Sequence, residues 1–314
     1  LTLQKILVIK HGAFGDFIQS LGAFAAIRAR YPEAELTLLT TRPYASFAEA
    51  SGYFDTIWTD PRRGIKTLFA TVRRLRGARF DFVYDLQNSD RTALYFWLMW
   101  PRNRRWSGLV RGCSHPHRTP HRQALHTIER LKEQLLLAGI DHIPQPSIDW
   151  LHSASAPTVP EPFALLVPGG SAHRPDKRWP GASYAEFAAH LVDCGITPVI
   201  LGTAADLDNI KPIVEAVPAA VDLSGKTGFA EIASLARQAQ FAVGNDTGPM
   251  HLITVAGCPS LVLFSDASDP ARCAPRGRLV EIIRVSDLRT LPVDRVIAAL
   301  ADPEADPVES SADA

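Results

Sequence analysis

The sequence has little cysteine, no long apolar run and no net charge, and each shortage removes a class of protein. Four cysteines in 314 residues (Cys113, Cys194, Cys258 and Cys273) show no paired spacing, which excludes a disulfide framework and fits a reduced compartment. The longest aromatic-rich apolar run, "ALYFWLMW" (93–100), is far short of the roughly 20 residues that span a bilayer. The N-terminus opens on a strand pattern with no apolar h-region, so no signal peptide is expected. Neither G-x-S-x-G nor H-E-x-x-H occurs, which removes two common hydrolase signatures.

A formal net charge of zero hides an asymmetry. Residues 1–150 hold 21 Lys and Arg against 13 Asp and Glu, a net +8, and residues 151–314 hold 12 against 20, a net −8. The basic half calls for an anionic partner. Two runs carry the charge: Arg62–Arg79 and Arg102–Arg122, both free of acids. A solvated face is the plain reading. An anionic acceptor or an anionic membrane surface is the functional one. Nucleic acid is disfavoured, because aromatic interleaving and a recognisable binding module are absent.

The chain is long enough for two domains. In the first half, strand-like "LQKILVIK", "ELTLLT", "FDTIW" and "FDFVYDLQ" alternate with helix-like "DFIQSLGAFAAIRARYP" and "HTIERLKEQLLLAGI". "LHSASAPTVPEP" (151–162) is small, polar and proline-rich, and reads as a linker. The alternation then restarts with "FALLVPG", "SYAEFAAHLVDCG", "ITPVILG" and "ADLDNIKPIVEAV", and continues through "FAVGND", "GPMHLITVAG" and "PSLVLF" to a last helix at 292–300. The acidic end, 302–314, reads as disordered. The expected fold class is α/β: two Rossmann-like doubly wound domains facing across a cleft, with ligands at the carboxyl ends of strands.

Three loops after strands carry candidate chemistry. The first, "KHGAFGD", spaces Gly12 and Gly15 as G-x-x-G-D rather than G-x-G-x-x-G, and "LLTTRP" lacks the ribose-holding acid, so a dinucleotide site is disfavoured. Asp16 there is either an N-cap or a general base at a strand end. The second, "PGGSAHRPDKRWP" (168–180), offers N–H groups, the Ser171 hydroxyl and Lys177 to a diphosphate, with Trp179 as a packing anchor. The third, "VGNDTGPMHL" (243–252), turns through Asp246, Thr247 and Gly248 directly into a helix whose N-terminus suits an anion, with His251 about one turn in.

Other apparent motifs weigh less. "SGKT" (224–227) is no Walker loop, because Ala220 stands where glycine is needed. Asp206 either caps a helix or reaches a ribose hydroxyl. "CSHPHRTPH" (113–121) could hold a metal, but a flexible loop is the favoured reading.

Together "ILVIKHGAFGDFIQSLGAFAAIRARYP", "LLVPGGSAHRPDKRWP", "DLSGKTGFAEIASLARQA" and "AVGNDTGPMHLITVAGCPSLVLF" resemble glycosyltransferase family 9, the lipopolysaccharide heptosyltransferases, over about residues 3–285. The resemblance implies a GT-B fold. Residues 1–150 would form an acceptor domain and 163–301 a nucleotide-sugar domain, with a last helix able to pack back onto the first. It implies inverting transfer of a heptose from ADP-heptose to the lipopolysaccharide inner core, without an essential metal or other cofactor. Asp16 would be the catalytic base. Ser171, Lys177, Asp246, Thr247, Gly248 and His251 would hold the donor phosphates, and Asp206, Lys226 and Thr227 the nucleoside. Arg62, Arg63, Arg104 and Arg105 would meet the anionic glycolipid acceptor. The location implied is cytoplasmic, with peripheral contact at the inner membrane. The alternatives are a non-catalytic nucleotide-sugar-binding protein, an epimerase of the same architecture, or a relative using another nucleotide-sugar.

Overall fold

A computed structural model describes residues 3–99, 105–153, 156–170 and 174–301. Ser171, Arg104 and the acidic end 302–314 lie outside the described residues. The chain divides into two compact units, Leu1–Leu151 and His152–Ala314.

The first unit runs β1 (Lys5–Ile9), α1 (Phe14–Gln19), α2 (Leu21–Arg30), β2 (Glu35–Thr40), α3 (Ala45–Ala50), β3 (Thr56–Thr59), α4 (Gly64–Ala78), β4 (Phe82–Asp85), α5 (Asp90–Met99), β5 (Trp106–Gly108), β6 (His115–Pro116) and α6 (Thr127–Leu137). Its sheet is parallel, in the order β3-β2-β1-β4-β5-β6. β1 is an unbroken apolar run after Lys5 because helices cover both faces of a parallel sheet. Leu68, Val72 and Leu75 recur at helical spacing, and they seat α4 on a core of Leu7, Ile9, Val83, Phe96 and Trp106.

One expectation needs correcting. The sequence predicts a single helix from Asp16 to Pro32, but the chain forms two, broken at Ser20. The Ser20 hydroxyl donates to the Asp16 carbonyl at 2.7 Å and competes with the helix ladder there. The helix also starts earlier. Its N-cap is Ala13, so Asp16 sits in the first turn and is not the cap.

The second unit repeats the plan: β7 (Phe163–Val167), α7 (Gly181–Asp193), β8 (Thr197–Ile200), α8 (Leu207–Ala216), β9 (Val221–Asp222), α9 (Phe229–Gln238), β10 (Ala242–Asn245), α10 (Gly248–Val255), β11 (Ser260–Phe264), α11 (Pro270–Cys273), β12 (Val280–Arg284) and α12 (Val293–Ala301). Its parallel sheet has the order β12-β11-β10-β7-β8-β9, the same winding as the first. The last helix, α12, puts Val293 and Val296 into the core of its own unit beside α7, where the sequence allowed for a return to the first domain.

Trp179 anchors this second core. It is fully buried, packs edge-on to Tyr184 at 4.8 Å between ring centres, and donates its indole N–H to the Leu291 carbonyl at 2.9 Å. Trp179→Ala removes both the packing and the bond, so the unit is expected to lose about 3–5 kcal/mol of stability in urea unfolding. A loss under about 1 kcal/mol would contradict this account of the core.

Candidate active site

Each sheet reverses its strand order once, between β1 and β4 and between β7 and β10. Ligands of doubly wound sheets bind at such switch points, beyond the carboxyl ends of the strands. Asp16 follows β1. Lys177 follows β7 and Asp246 follows β10. These three of the sequence-predicted residues thus fall on the two switch points.

In the second unit the side chain of Asn245, fully buried, ties the switch point together. Its Oδ1 accepts from the Trp179 backbone N–H at 3.0 Å and the Tyr184 hydroxyl at 3.2 Å. Its Nδ2 donates to the carbonyls of Pro168 at 2.9 Å and Gly169 at 3.1 Å. Asn209 adds a second clasp, donating to the Pro168 and Trp179 carbonyls. With both ends of the loop fixed this way, Lys177 reaches Asp246, Nζ to Oδ2, at 2.6 Å. Both side chains are mostly buried, at 13% and 8% exposed. Thr247 is the N-cap of α10 and makes no side-chain cap bond, so the helix start lies beside the ion pair with Gly248 and Pro249 opening it. His251 is buried in the first turn and a half of α10.

Asp206 is occupied. Its Oδ2 accepts from the Thr203 N–H at 3.0 Å and the Thr203 hydroxyl at 2.8 Å, a reciprocal capping box. Its Oδ1 accepts from the Gly170 N–H at 3.2 Å, and Arg178 stands 3.6 Å away. Of the two roles the sequence left open, the structure displays the cap. Gly169 makes this approach possible, since a Cβ there would lie 2.7 Å from the Asp206 carboxyl carbon. Lys226 is exposed on the turn after β9, where its Nζ donates to the Asp222 carbonyl at 2.8 Å, and Thr227 follows it, half-buried.

In the first unit Gln87, just after β4, holds the Asp16 loop. Its Oε1 accepts from the N–H groups of His11 at 2.8 Å and Gly12 at 3.3 Å. Thr41 donates to the His11 carbonyl at 2.9 Å from the other side. Gly12 has φ +124°, and a Cβ there would meet the Tyr44 ring at 2.5 Å, so no side chain fits. Asp16 is half-buried. Burial raises the Tyr44 phenol pKa, the Asp16 charge raises it further, and Arg62 lowers it, which puts all three groups within electrostatic reach.

Beneath the loop lies a layer of buried charge. Burial lowers the pKa of the Lys10 ammonium, against the opposing pull of Asp16 and Asp85. Burial pushes Asp85 up to about 6. Asp60 is buried and accepts two bonds from Arg91, at 2.7 and 2.8 Å, as well as one from the Tyr95 hydroxyl. Arg91 and the hydrogen bonds hold Asp60 below the usual carboxylate range although burial opposes them. His11 lies 3.8 Å from Asp60 with neither ring nitrogen hydrogen-bonded. Burial brings its pKa down to about 4.

The candidate acceptor arginines separate. Arg62 and Arg63 follow β3 and are exposed on the carboxyl edge, the edge that carries Asp16. Arg105 precedes β5, and its carbonyl accepts from Val83. It therefore sits at the amino edge with Leu3, Pro32 and His115, which corrects its grouping with Arg62 and Arg63. In parallel strands, the residue before a strand and the residue after its neighbour lie at opposite ends.

The Cys113–His121 stretch, expected as a flexible loop, instead contains β6, with Cys113 packed in the first unit's core and His117 fully buried. His117 Nε2 and Glu133 Oε2 are 2.7 Å apart, and Thr119 donates to the same oxygen. Among the described residues no group of three or more His, Cys, Asp or Glu is placed to hold a metal.

Sequence reasoning missed Gln87, Tyr44, Asp60, Arg91 and the clasp role of Asn245. One signal was present: "DLQ" follows a strand that must neighbour β1 if the sheet is doubly wound.

The family model for glycosyltransferase family 9 (heptosyltransferase) matches residues 68–295. Lipopolysaccharide heptosyltransferase 2 of Escherichia coli (strain K12) is 26% identical over 309 residues, covering 90% of this chain and 88% of that protein. Among solved structures, that of E. coli ADP-heptose lps heptosyltransferase II has a TM-score of 0.74 at 22% identity, over 95% of this chain and 98% of the other. The glycosyl transferase family 9 structure from Veillonella parvula DSM 2008 has a TM-score of 0.78 at 17% identity, over 96% and 97%. At these identities the two structures establish the fold.

The unpartnered His11 has a measurable consequence. It is neutral when folded, with its pKa depressed from 6.5 to about 4, so its contribution is present above 6.5 and is lost as pH falls through 4. His11→Phe cannot take up that proton in the unfolded state. Between pH 7 and pH 4 its unfolding free energy is expected to gain roughly 2–3 kcal/mol relative to the parent, measured by chemical denaturation. A difference that stays constant with pH would show that His11 takes up its proton in the fold as readily as in the unfolded chain, and would overturn this account.

Proposed function

Because the chain belongs to glycosyltransferase family 9, we propose that it is an inverting glycosyltransferase that moves a heptose from ADP-heptose onto an inner-core lipopolysaccharide acceptor. The observation that carries this reading is the Lys177–Asp246 ion pair at the second switch point, beside the start of α10. A lysine held by one acid keeps two further N–H donors for a diphosphate. Asp246 fixes its position beside the N-terminus of α10.

In this proposal the adenosine diphosphate lies along the carboxyl edge of the second sheet. Lys177 and the Thr247–Gly248 turn meet its phosphates, His251 supports that turn, and the Lys226–Thr227 turn lies on the nucleoside side. Ser171 belongs to the same loop as Lys177. Asp206 acts on the site through Gly170, holding the phosphate loop in place. Asp16 accepts the proton of the acceptor hydroxyl as that oxygen attacks the anomeric carbon. The bond to the diphosphate breaks on the opposite face, so configuration inverts. The charge gathering on the leaving phosphate is met by Lys177 and the α10 N-terminus, which supply the counter-charge in place of a metal. Arg62 and Arg63, on the edge that carries Asp16, receive anionic groups of the acceptor.

No helix among the described residues is long and apolar enough to cross a membrane. The proposed lipopolysaccharide acceptor would place the enzyme's work in the cytoplasm, at the inner-membrane face.

Two variants test the roles. Asp16→Asn is expected to keep the fold and ADP binding while turnover falls about two to four orders of magnitude, measured by ADP release with acceptor present. Near-normal turnover would remove Asp16 as the base, and absence of turnover in the parent protein would favour a binding protein. Lys177→Ala should weaken ADP binding far more than adenosine binding in calorimetry. Equal losses would argue against phosphate contact.

A further inference from the structure

Helix α4 has the sequence "GIKTLFATVRRLRGA", with no acid in it. Its inner stripe, Leu68, Val72 and Leu75, is consumed by the core. Two large apolar side chains are left outside: Ile65 at 68% exposed and Phe69 at 54%, one turn apart. At ~100° per residue, Ile65, Phe69, Arg76 and Arg73 fall within about 80° of one another, with Lys66 at the margin. Phe69 and Val72 line a shallow groove with Arg73, Arg76, Gly77 and Arg79. Among the described residues no acid pairs with Lys66, Arg73, Arg76 or Arg79. Arg74 is turned away and lies over the Trp58 ring at 3.7 Å.

We infer that this face of α4 is a docking surface for an anionic lipid bilayer, an inference that rests on the proposed glycolipid acceptor. The chemistry selects the partner. A single sign of charge, unneutralised and interleaved with protruding Ile and Phe, matches a surface with negative headgroups above hydrocarbon. The aliphatic and aromatic tips enter the headgroup boundary while the guanidinium groups stay at phosphate level. The patch starts immediately after Arg62 and Arg63, so lipid contact and the proposed acceptor contact share one stretch of chain.

The experiment is co-sedimentation of the whole protein with phosphatidylcholine vesicles, with and without phosphatidylglycerol. In parallel, ADP release is followed with a lipid-free core oligosaccharide. Binding is expected only with phosphatidylglycerol, and it should weaken as salt rises. Ile65→Ser with Phe69→Ser, and separately Arg73→Ala with Arg76→Ala, should each weaken vesicle binding about tenfold or more. Both pairs should leave turnover of the lipid-free acceptor unchanged. Equal binding to neutral vesicles would overturn the inference. So would binding that neither pair affects, or a concentration-dependent dimer that these variants dissolve while vesicles are ignored. Parent protein that binds the vesicles but turns over no acceptor would support the docking surface and sink the transferase reading, so the two failures are distinct.

Discussion

The second switch point depends on one side-chain amide. Asn245 is fully buried and uses both donors and its acceptor oxygen on groups from the β7 loop and the start of α7. An unpaired amide at that depth would be costly, so the four bonds form together or the strand end does not close. Everything proposed for the donor follows from that closure. It sets where the Trp179 backbone stands, two residues from Lys177, and it sets the exit of β10 into Asp246. The Lys177–Asp246 pair is therefore held from behind, by the side chain of the residue that precedes Asp246.

The first unit solves the same geometric problem with different chemistry. Gln87 fastens the loop after β1 across the switch point, as Asn245 fastens the loop after β7. Below that loop, Asp60 is matched by Arg91 and the Tyr95 hydroxyl, while His11 stays neutral beside it. Both units thus place a rigid backbone at the reversal of strand order. One presents a carboxylate from the first turn of a helix and the other presents an ammonium. The winding is common to both, and the side chain set at its centre distinguishes them.

Much of this was legible in the chain. Strands such as "KILVI", "FALLV" and "SLVLF" read directly as apolar runs, because both faces of a parallel sheet are covered. Lys177 and the D-T-G turn stood out because phosphate chemistry restricts the residue types beside a helix start. Three things were not legible. Arg62–Arg79 read as a block of charge, although Leu68, Val72 and Leu75 already carried the helical period, since arginines dominate its composition. Arg105 read as kin to Arg62–Arg63, because sequence shows charge without showing at which end of the sheet it lies. The Asp60–Arg91–Tyr95 group joins two separate stretches of chain, so no local window contains it. The N-cap reading of Asp16 failed by three residues, a shift that turns a capping acid into one set within the first turn.

The position of Phe69 has a consequence for scale. It lies six residues beyond Arg63 along a helix that begins at the carboxyl edge of the first sheet, or about 9 Å at ~1.5 Å per residue. With the side of α4 laid on a bilayer, that distance runs along the membrane surface and not away from it. The carboxyl edge then stands beside the inserted ring, near headgroup level. A membrane-borne partner would meet it by sideways diffusion within the leaflet, with the groups nearest the lipid first in reach.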